Sequence, residues 1–373
     1  FSYGEKLILA YFYGTNYEAD VYTTIFTILL AVFFLFREII EPGFLNTFLH
    51  YRNEGKEALA WDFFNLSARG ILIFTLVLTL IVSFKAEGLI ELFAPGFEGE
   101  TKATAARLLL ITFPATCFLA LSTLTNITLT GMKYFALPAL GDLAMKAVIV
   151  LTLLLFTKSM GLYATAIGIL VGAVVKLLVH LIKLRKHVKI GKLQVEKSRL
   201  KTTWLLTAPL LLGVLFSQVS SLVDNAFASG LEEGAISSLS YAKKILDLPI
   251  IVFPYILGVV VFPYLSELSI KQDRQKLASL FMGSLKWITL AFLPLSVFIF
   301  FFPDVIVQIV LGRGAFDLSA SLSTGAALKI YAIGLLFFAL ETIIVIFYYS
   351  IADTKTPILI GILGVIINFA LTY

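Results

Sequence analysis

The strongest constraint on this chain is its series of long apolar runs. Stretches near 21–49, 66–94, 105–130, 137–157, 161–183, 203–229, 237–267, 280–302 and 325–350 are each long enough to cross a bilayer, and partial runs lie at 1–13 and 358–373. A spanning helix needs ~20 apolar residues. Lipid offers no partner to a backbone amide, so each span must bond its own. Strand-period alternation with turns about every ten residues, the mark of a membrane barrel, is absent. The reading is an all-α polytopic membrane protein. Composition agrees: 59% of residues are hydrophobic and only 14% charged, with a mean hydropathy of +0.94. A soluble chain of this length carries far more charge. Cys117 is the single cysteine, so no disulfide forms within the chain.

The apolar pattern is written twice. Phe44 matches Phe262 at a spacing of 218, and Phe97 matches Phe316 and Pro138 matches Pro357 at 219. Around these anchors GFLNTFL (43–49) resembles VFPYLSE (261–267), LFAPGF (92–97) resembles LGRGAF (311–316), and TGMKYFALP (130–138) resembles IADTKTP (351–357). An internal repeat in an apolar chain marks a transporter built from two related lobes. The expected division is an N-lobe over 1–183, a basic linker over 184–201 and a C-lobe over 202–373. The first and last helices read as truncated, because residue 1 already lies inside an apolar run and the chain is still apolar at Tyr373.

Loop charges orient the spans. One set of alternate loops holds fifteen cations: Arg52, Lys56, Lys133, eight between Lys183 and Lys201, Lys271, Arg274, Lys276 and Lys355. The other holds three, Lys102, Lys158 and Arg313. The Lys/Arg-rich set is cytoplasmic, which puts the N-terminus inside. Six helices precede the linker, so the two lobes share one orientation, related by an axis along the membrane normal. The net charge of +5 follows from these loops and implies no nucleic-acid partner.

Ionisable groups within spans are costly, roughly 2.5–3.5 kcal/mol each at a helix centre, and normally face a cavity or one another. The first cluster comprises Glu5 and Lys6, then Arg37, Glu38 and Glu41, then Lys243, Lys244 and Asp247. Arg37 and Glu41 share a helix face, and Lys244 and Asp247 can pair in the same way. Arg37 and Lys244, on equivalent helices of the two lobes, suit an anionic headgroup such as a phosphate or pyrophosphate. Local ion pairs snorkelling at helix ends are the plainer alternative. A second cluster, Asp224, Asn225 and Asn368, offers acid and amide oxygens suited to Na⁺ or a proton as coupling ion. Asp142 and Lys146, four apart, are expected to pair with each other, and Lys176 and His180 to snorkel. Pro42 in the second span, and Pro249, Pro254 and Pro263 in the run 237–267, are expected to permit kinks. No P-loop, HExxH, CxxC or GxSxG occurs, so the chain reads as a transporter and not an enzyme.

Several segments resemble the MurJ/MviN lipid II flippases of the MOP exporter superfamily. They are LAYFYGTNYEAD (9–20), FREIIEPGFLNTFLHYRNEG (36–55), FAPGF (93–97), ITFP (111–114), SQVSSLVDNAFASGLEEGAISSLSYAKKILDLP (217–249), FPYLSE (262–267) and ADTKTP (352–357). The resemblance implies a MOP-type fold with about 11 of an expected 14 helices present. It also implies export of a lipid-linked peptidoglycan precursor from the inner to the outer leaflet of the bacterial inner membrane by alternating access. The partners would be an undecaprenyl pyrophosphate-linked glycopeptide and membrane lipids, with the protein a monomer. Arg37 and Glu41 match charged positions of the family's second helix. Lys244 stands where the family has arginine, which keeps charge but loses the bidentate fork. Glu5-Lys6 stands where an Arg-Asp pair is usual, with the charges exchanged. Asp224 and Asn368 match a sodium site of some members, and Thr372 stands where an acid is expected. The alternatives are a flippase for another polyprenyl-linked glycan, a MATE-like cation or drug antiporter, a membrane-embedded enzyme acting on a polyprenyl phosphate, and a scaffold that binds the precursor without moving it.

Overall fold

A computed structural model describes residues 3–189, 191, 193, 218–219 and 221–372. The expected span 203–229 lies outside the described residues up to 217, and so does most of the basic linker. The elements are α1 (Tyr3–Tyr13), α2 (Tyr17–Asn53), α3 (Glu57–Phe93), α4 (Gly99–Thr112), α5 (Ala115–Gly131), α6 (Ala136–Met160), α7 (Tyr163–Leu184), a 3-10 turn at Arg185–His187, α8 (221–229), α9 (Ala235–Ile270), α10 (Arg274–Phe301), α11 (Pro303–Leu311), α12 (Leu318–Ser350) and α13 (Lys355–Thr372). No strand occurs among the described residues. Six of these helices are long and apolar enough to cross a membrane, or seven if α4 and α5, bent by 41°, form one span. The protein is a multi-pass membrane protein of all-helical class.

The repeat is visible in the backbone. α2 and α9 begin 218 residues apart at Tyr17 and Ala235, α4 and α12 begin 219 apart at Gly99 and Leu318, and α6 and α13 begin 219 apart at Ala136 and Lys355. Irregular backbone repeats too. Gly55 (φ +73) and Gln272 (φ +55) are 217 apart, and Lys133 (φ +66) and Ala352 (φ +61) are 219 apart. α3 loses helical geometry at Lys85 (φ −125), and its counterpart Phe302 (φ −125) separates α10 from α11. The second break is complete because Pro303 follows it and cannot donate the next helical hydrogen bond. Pro114 likewise separates α4 from α5, whereas its counterpart Ile333 lets α12 run unbroken. The single apolar run 105–130 is therefore two helices. Pro42 and the three prolines of 237–267 lie inside helices that run unbroken as α2 and α9.

Packing divides the chain into two units. One comprises Asp20–Glu232 with the segment up to Ile8, and the other Leu9–Ala19 with Glu233–Leu371. In the first, α6 and α5 pack on α7. Glycines make the α6–α7 seam close: a Cβ on Gly172 would lie 3.0 Å from the Met145 carbonyl oxygen, and one on Gly168 3.4 Å from the Ile149 Cα. Small residues at such seams let helices gain packing contacts where lipid supplies no hydrophobic drive. An aromatic cluster fills the end where α2 leads into α3. Phe44 stacks on Phe63 at 5.5 Å, Phe48 meets Trp61 edge-on at 5.3 Å, and Trp61 stacks on His187 at 3.7 Å. The segment after α7 is held there by Lys189 Nζ on Asp62 Oδ1 at 2.6 Å and by Arg69 Nη2 donating to the carbonyls of Lys189 and Gly191. α8 is tied to the same unit through Asn225, whose amide donates to the Phe93 carbonyl at 2.9 Å. In the second unit α12 packs on α9 and α10. The end of α1 joins it through Ala315 N–H on the Tyr11 carbonyl (2.8 Å) and the Tyr241 hydroxyl on the Gly14 carbonyl (3.1 Å).

Candidate functional site

The first unit contains a cavity of about 490 Å³ bounded by α2, α5, α6 and α7. Each helix contributes polar or charged groups to it. α2 supplies Arg37, α5 supplies Thr123, Asn126 and Thr130, α6 supplies Asp142 and Lys146, and α7 supplies Lys176. Among the described residues the charged lining is three cations and one carboxylate. The threonines do not compete for a ligand as donors, because Thr123 and Thr130 hydroxyls already donate to the carbonyls of Leu119 and Asn126 four residues earlier. The cavity lies toward the helix ends that carry the basic loops. Lys146 is ten residues from the start of α6, ~15 Å along its axis, and Lys176 is eight residues from the end of α7, ~12 Å.

Within this cavity Lys176 Nζ meets Asp142 Oδ1 at 2.6 Å. The Lys176 side chain is 8% exposed and that of Asp142 47%. The expected pairing of Asp142 with Lys146 is therefore replaced by a contact across the α6–α7 seam. The i,i+4 spacing permits the first, but the close approach of α7 brings a buried ammonium that needs the carboxylate more. Nor does Lys176 snorkel, for it is buried. His180, one turn on, is also fully buried, with Nδ1 2.8 Å from the Thr125 hydroxyl. It fits because residue 141 is glycine: a Cβ there would lie 2.6 Å from His180 Nε2.

The other expected site residues are dispersed. Arg37 lines the cavity. The side chain of Glu41 lies outside the described residues. Glu5 is 3% exposed and accepts a hydrogen bond from the Tyr22 hydroxyl. Lys6 donates to Thr23 Oγ1 at 3.5 Å and stands over the Tyr22 ring at 5.6 Å. Both lie in the α1–α2 seam of the first unit and neither lines the cavity. Lys244 belongs to the second unit, half-buried on α9, and the expected Lys244–Asp247 ion pair does not form among the described residues. Asp224 is exposed on α8 in the first unit, whereas Asn368 is exposed on α13 in the second. The Asn225 carboxamide is engaged by the Phe93 carbonyl and by the Thr24 hydroxyl at 3.3 Å. Sequence reading missed Lys146 and Lys176 as cavity cations. Their signal was the density of charge in α6 and α7 at membrane depth.

The family model for the lipid II flippase MurJ matches residues 9–373. The chain belongs to the MurJ family. It is 27% identical to a probable lipid II flippase MurJ of Borreliella burgdorferi, over 98% of this chain and 72% of that protein. It is 28% identical to one of Aquifex aeolicus, over 96% and 70%. Among solved structures, a lipid II flippase MurJ in an inward closed conformation matches with a TM-score of 0.83 and 25% identity, covering 97% of this chain and 76% of that one. An inward-facing multidrug resistance MATE transporter matches with a TM-score of 0.84 at 14% identity, over 97% and 83%. The MATE likeness shows the shared MOP fold alone.

Proposed function

We propose that this MurJ-family protein is a lipid II flippase, moving the lipid-linked peptidoglycan precursor from the inner to the outer leaflet. The observation that carries the reading is the cationic cavity, in a chain matched over 9–373 by the flippase family. An acceptor of organic cations needs the opposite charge balance, which sets the MATE-type antiporter aside. The lined end of the cavity is cytoplasmic by the positive-inside rule, where the precursor is made. Arg37 would hold the pyrophosphate through charge-assisted hydrogen bonds, and the polyprenyl tail would stay in lipid. The sequence alone suggests Lys6 and Lys244 as further headgroup cations, and Asp224, Asn225 and Asn368 as ligands of a coupling ion, Na⁺ or H⁺. The bacterial inner membrane, with the N-terminus in the cytoplasm, is the proposed location.

Complementation of a conditional flippase strain tests this, scored by lipid II accessible at the outer leaflet. The wild-type gene restores accessibility, and Arg37→Ala abolishes it while the protein still inserts. Normal growth on Arg37→Ala would remove that residue from the mechanism.

A further inference from the structure

Lys146 lines the cavity without a counter-ion. It is half-buried on α6, and among the described residues it makes no ion pair, because Asp142, one turn earlier, is turned to Lys176. An ammonium at membrane depth is retained when it faces water, a partner or a ligand. Snorkelling does not account for it, since the start of α6 is further away, ~15 Å, than a lysine side chain reaches. Nor does the fold require it. α13 is the counterpart of α6 at an offset of 219, and there Asp142 and Lys146 correspond to Gly361 and Val365. The same helix is built in the second unit with no charge at either position.

We infer that Lys146 is a phosphate-contacting residue, which together with Arg37 holds a pyrophosphate inside the cavity of the first unit. The inference rests on the flippase reading and names the headgroup contacts of that site. Asp142 neutralises Lys176, which leaves Lys146 as a lining cation that makes no ion pair among the described residues. A pyrophosphate diester carries one negative charge on each phosphate; Lys146 brings a positive charge to it from α6, and Arg37 lines the same cavity from α2. The Asn126 carboxamide on α5 adds a neutral donor to the same wall. A volume of 490 Å³ admits the diphosphate with part of the first sugar. Asp142 and Lys176 act as positioning residues, fixing α6 against α7 and so the direction of Lys146.

The test is lipid II binding to the purified protein in lipid nanodiscs. Variants are Lys146→Gln, Lys146→Arg and, as a control on the exposed last turn of the same helix, Lys158→Gln. Lys146→Gln weakens binding about tenfold or more, as loss of a charge-assisted contact does. Lys146→Arg stays within about threefold, and Lys158→Gln matches wild type. Inorganic pyrophosphate, added as competitor, displaces lipid II from the wild type. Failure to displace it would put the affinity in the lipid tail and overturn the inference. Equal affinity of Lys146→Gln and wild type overturns it too, leaving the flippase reading intact. Absence of lipid II binding by folded wild-type protein overturns both.

Discussion

Removing the two partners of the Asp142–Lys176 pair should have unequal effects. At 2.6 Å and an effective dielectric of ~20, the gross attraction is ~6 kcal/mol, an upper bound that desolvation of the ammonium largely offsets. Breaking a fully buried pair costs roughly 3–5 kcal/mol. Here only Lys176 is fully buried, and Asp142 is half-exposed. Asp142→Asn strands a buried ammonium beside Arg37 and Lys146, and we expect a loss of ~2–3 kcal/mol. Lys176→Met leaves a carboxylate that can hydrate, and we expect ~1 kcal/mol. The double variant should lie close to Lys176→Met, giving a coupling of ~2–3 kcal/mol. Equilibrium unfolding of the purified protein in mixed micelles reads all four corners of the cycle. Equal costs for the single variants with a coupling under ~0.5 kcal/mol would refute the argument.

Two further outcomes follow from local geometry. Gly96→Ala places a Cβ 2.0 Å from the Ser229 carbonyl oxygen, backbone that cannot step aside, and should cost ~3 kcal/mol by the same unfolding measurement; Gly88→Ala, with nothing within 4 Å, should be neutral or stabilising by up to ~1 kcal/mol. In the turn before α13 the Thr356 hydroxyl and then its N–H hold Asp353 below its ordinary pKa. That stabilisation is complete above the usual aspartate value of ~3.9 and is lost as pH falls through the depressed folded value. Carboxyl NMR should show the Asp353 titration moving back up in Thr356→Val, and an unchanged titration would exclude the hydroxyl as its cause.

The helical class and the repeat were legible because both depend on patterns that survive drift: long apolar runs, and Phe97/Phe316 and Pro138/Pro357, which keep their offset. Element boundaries were less so. The apolar run was placed at 66–94, yet α3 begins at Glu57, and its first turns hold because Trp61, Phe63 and Phe64 pack in the aromatic cluster. Pro114 was visible, but its effect could not be told from that of Pro42, since a proline breaks a span only where the freed carbonyl finds no other partner. Arg37 was legible as a cation, beside Glu38 and Glu41, within an apolar run. The Asp142 partner was not, because i,i+4 spacing speaks only for one helix, and the deciding contact depends on glycines that bring α7 against α6. Glu5 and Lys6 were legible as charges at membrane depth, but their neighbours on α2, Tyr22 and Thr23, were not, because those contacts depend on how two helices pack.

The turns after α5 and α12 carry a history of their own. Lys133 and Ala352 both hold left-handed backbone, a conformation that costs a residue with a side chain ~1–2 kcal/mol and a glycine almost nothing. Met132-Lys133-Tyr134 and Ile351-Ala352-Asp353 share no residue, so what was inherited is a path through space and not the amino acids that favour it. Each copy has kept the detour while spelling it differently. The strain is then a fossil of the ancestral fold, and glycine at either position would leave the path unchanged and make it easier to follow.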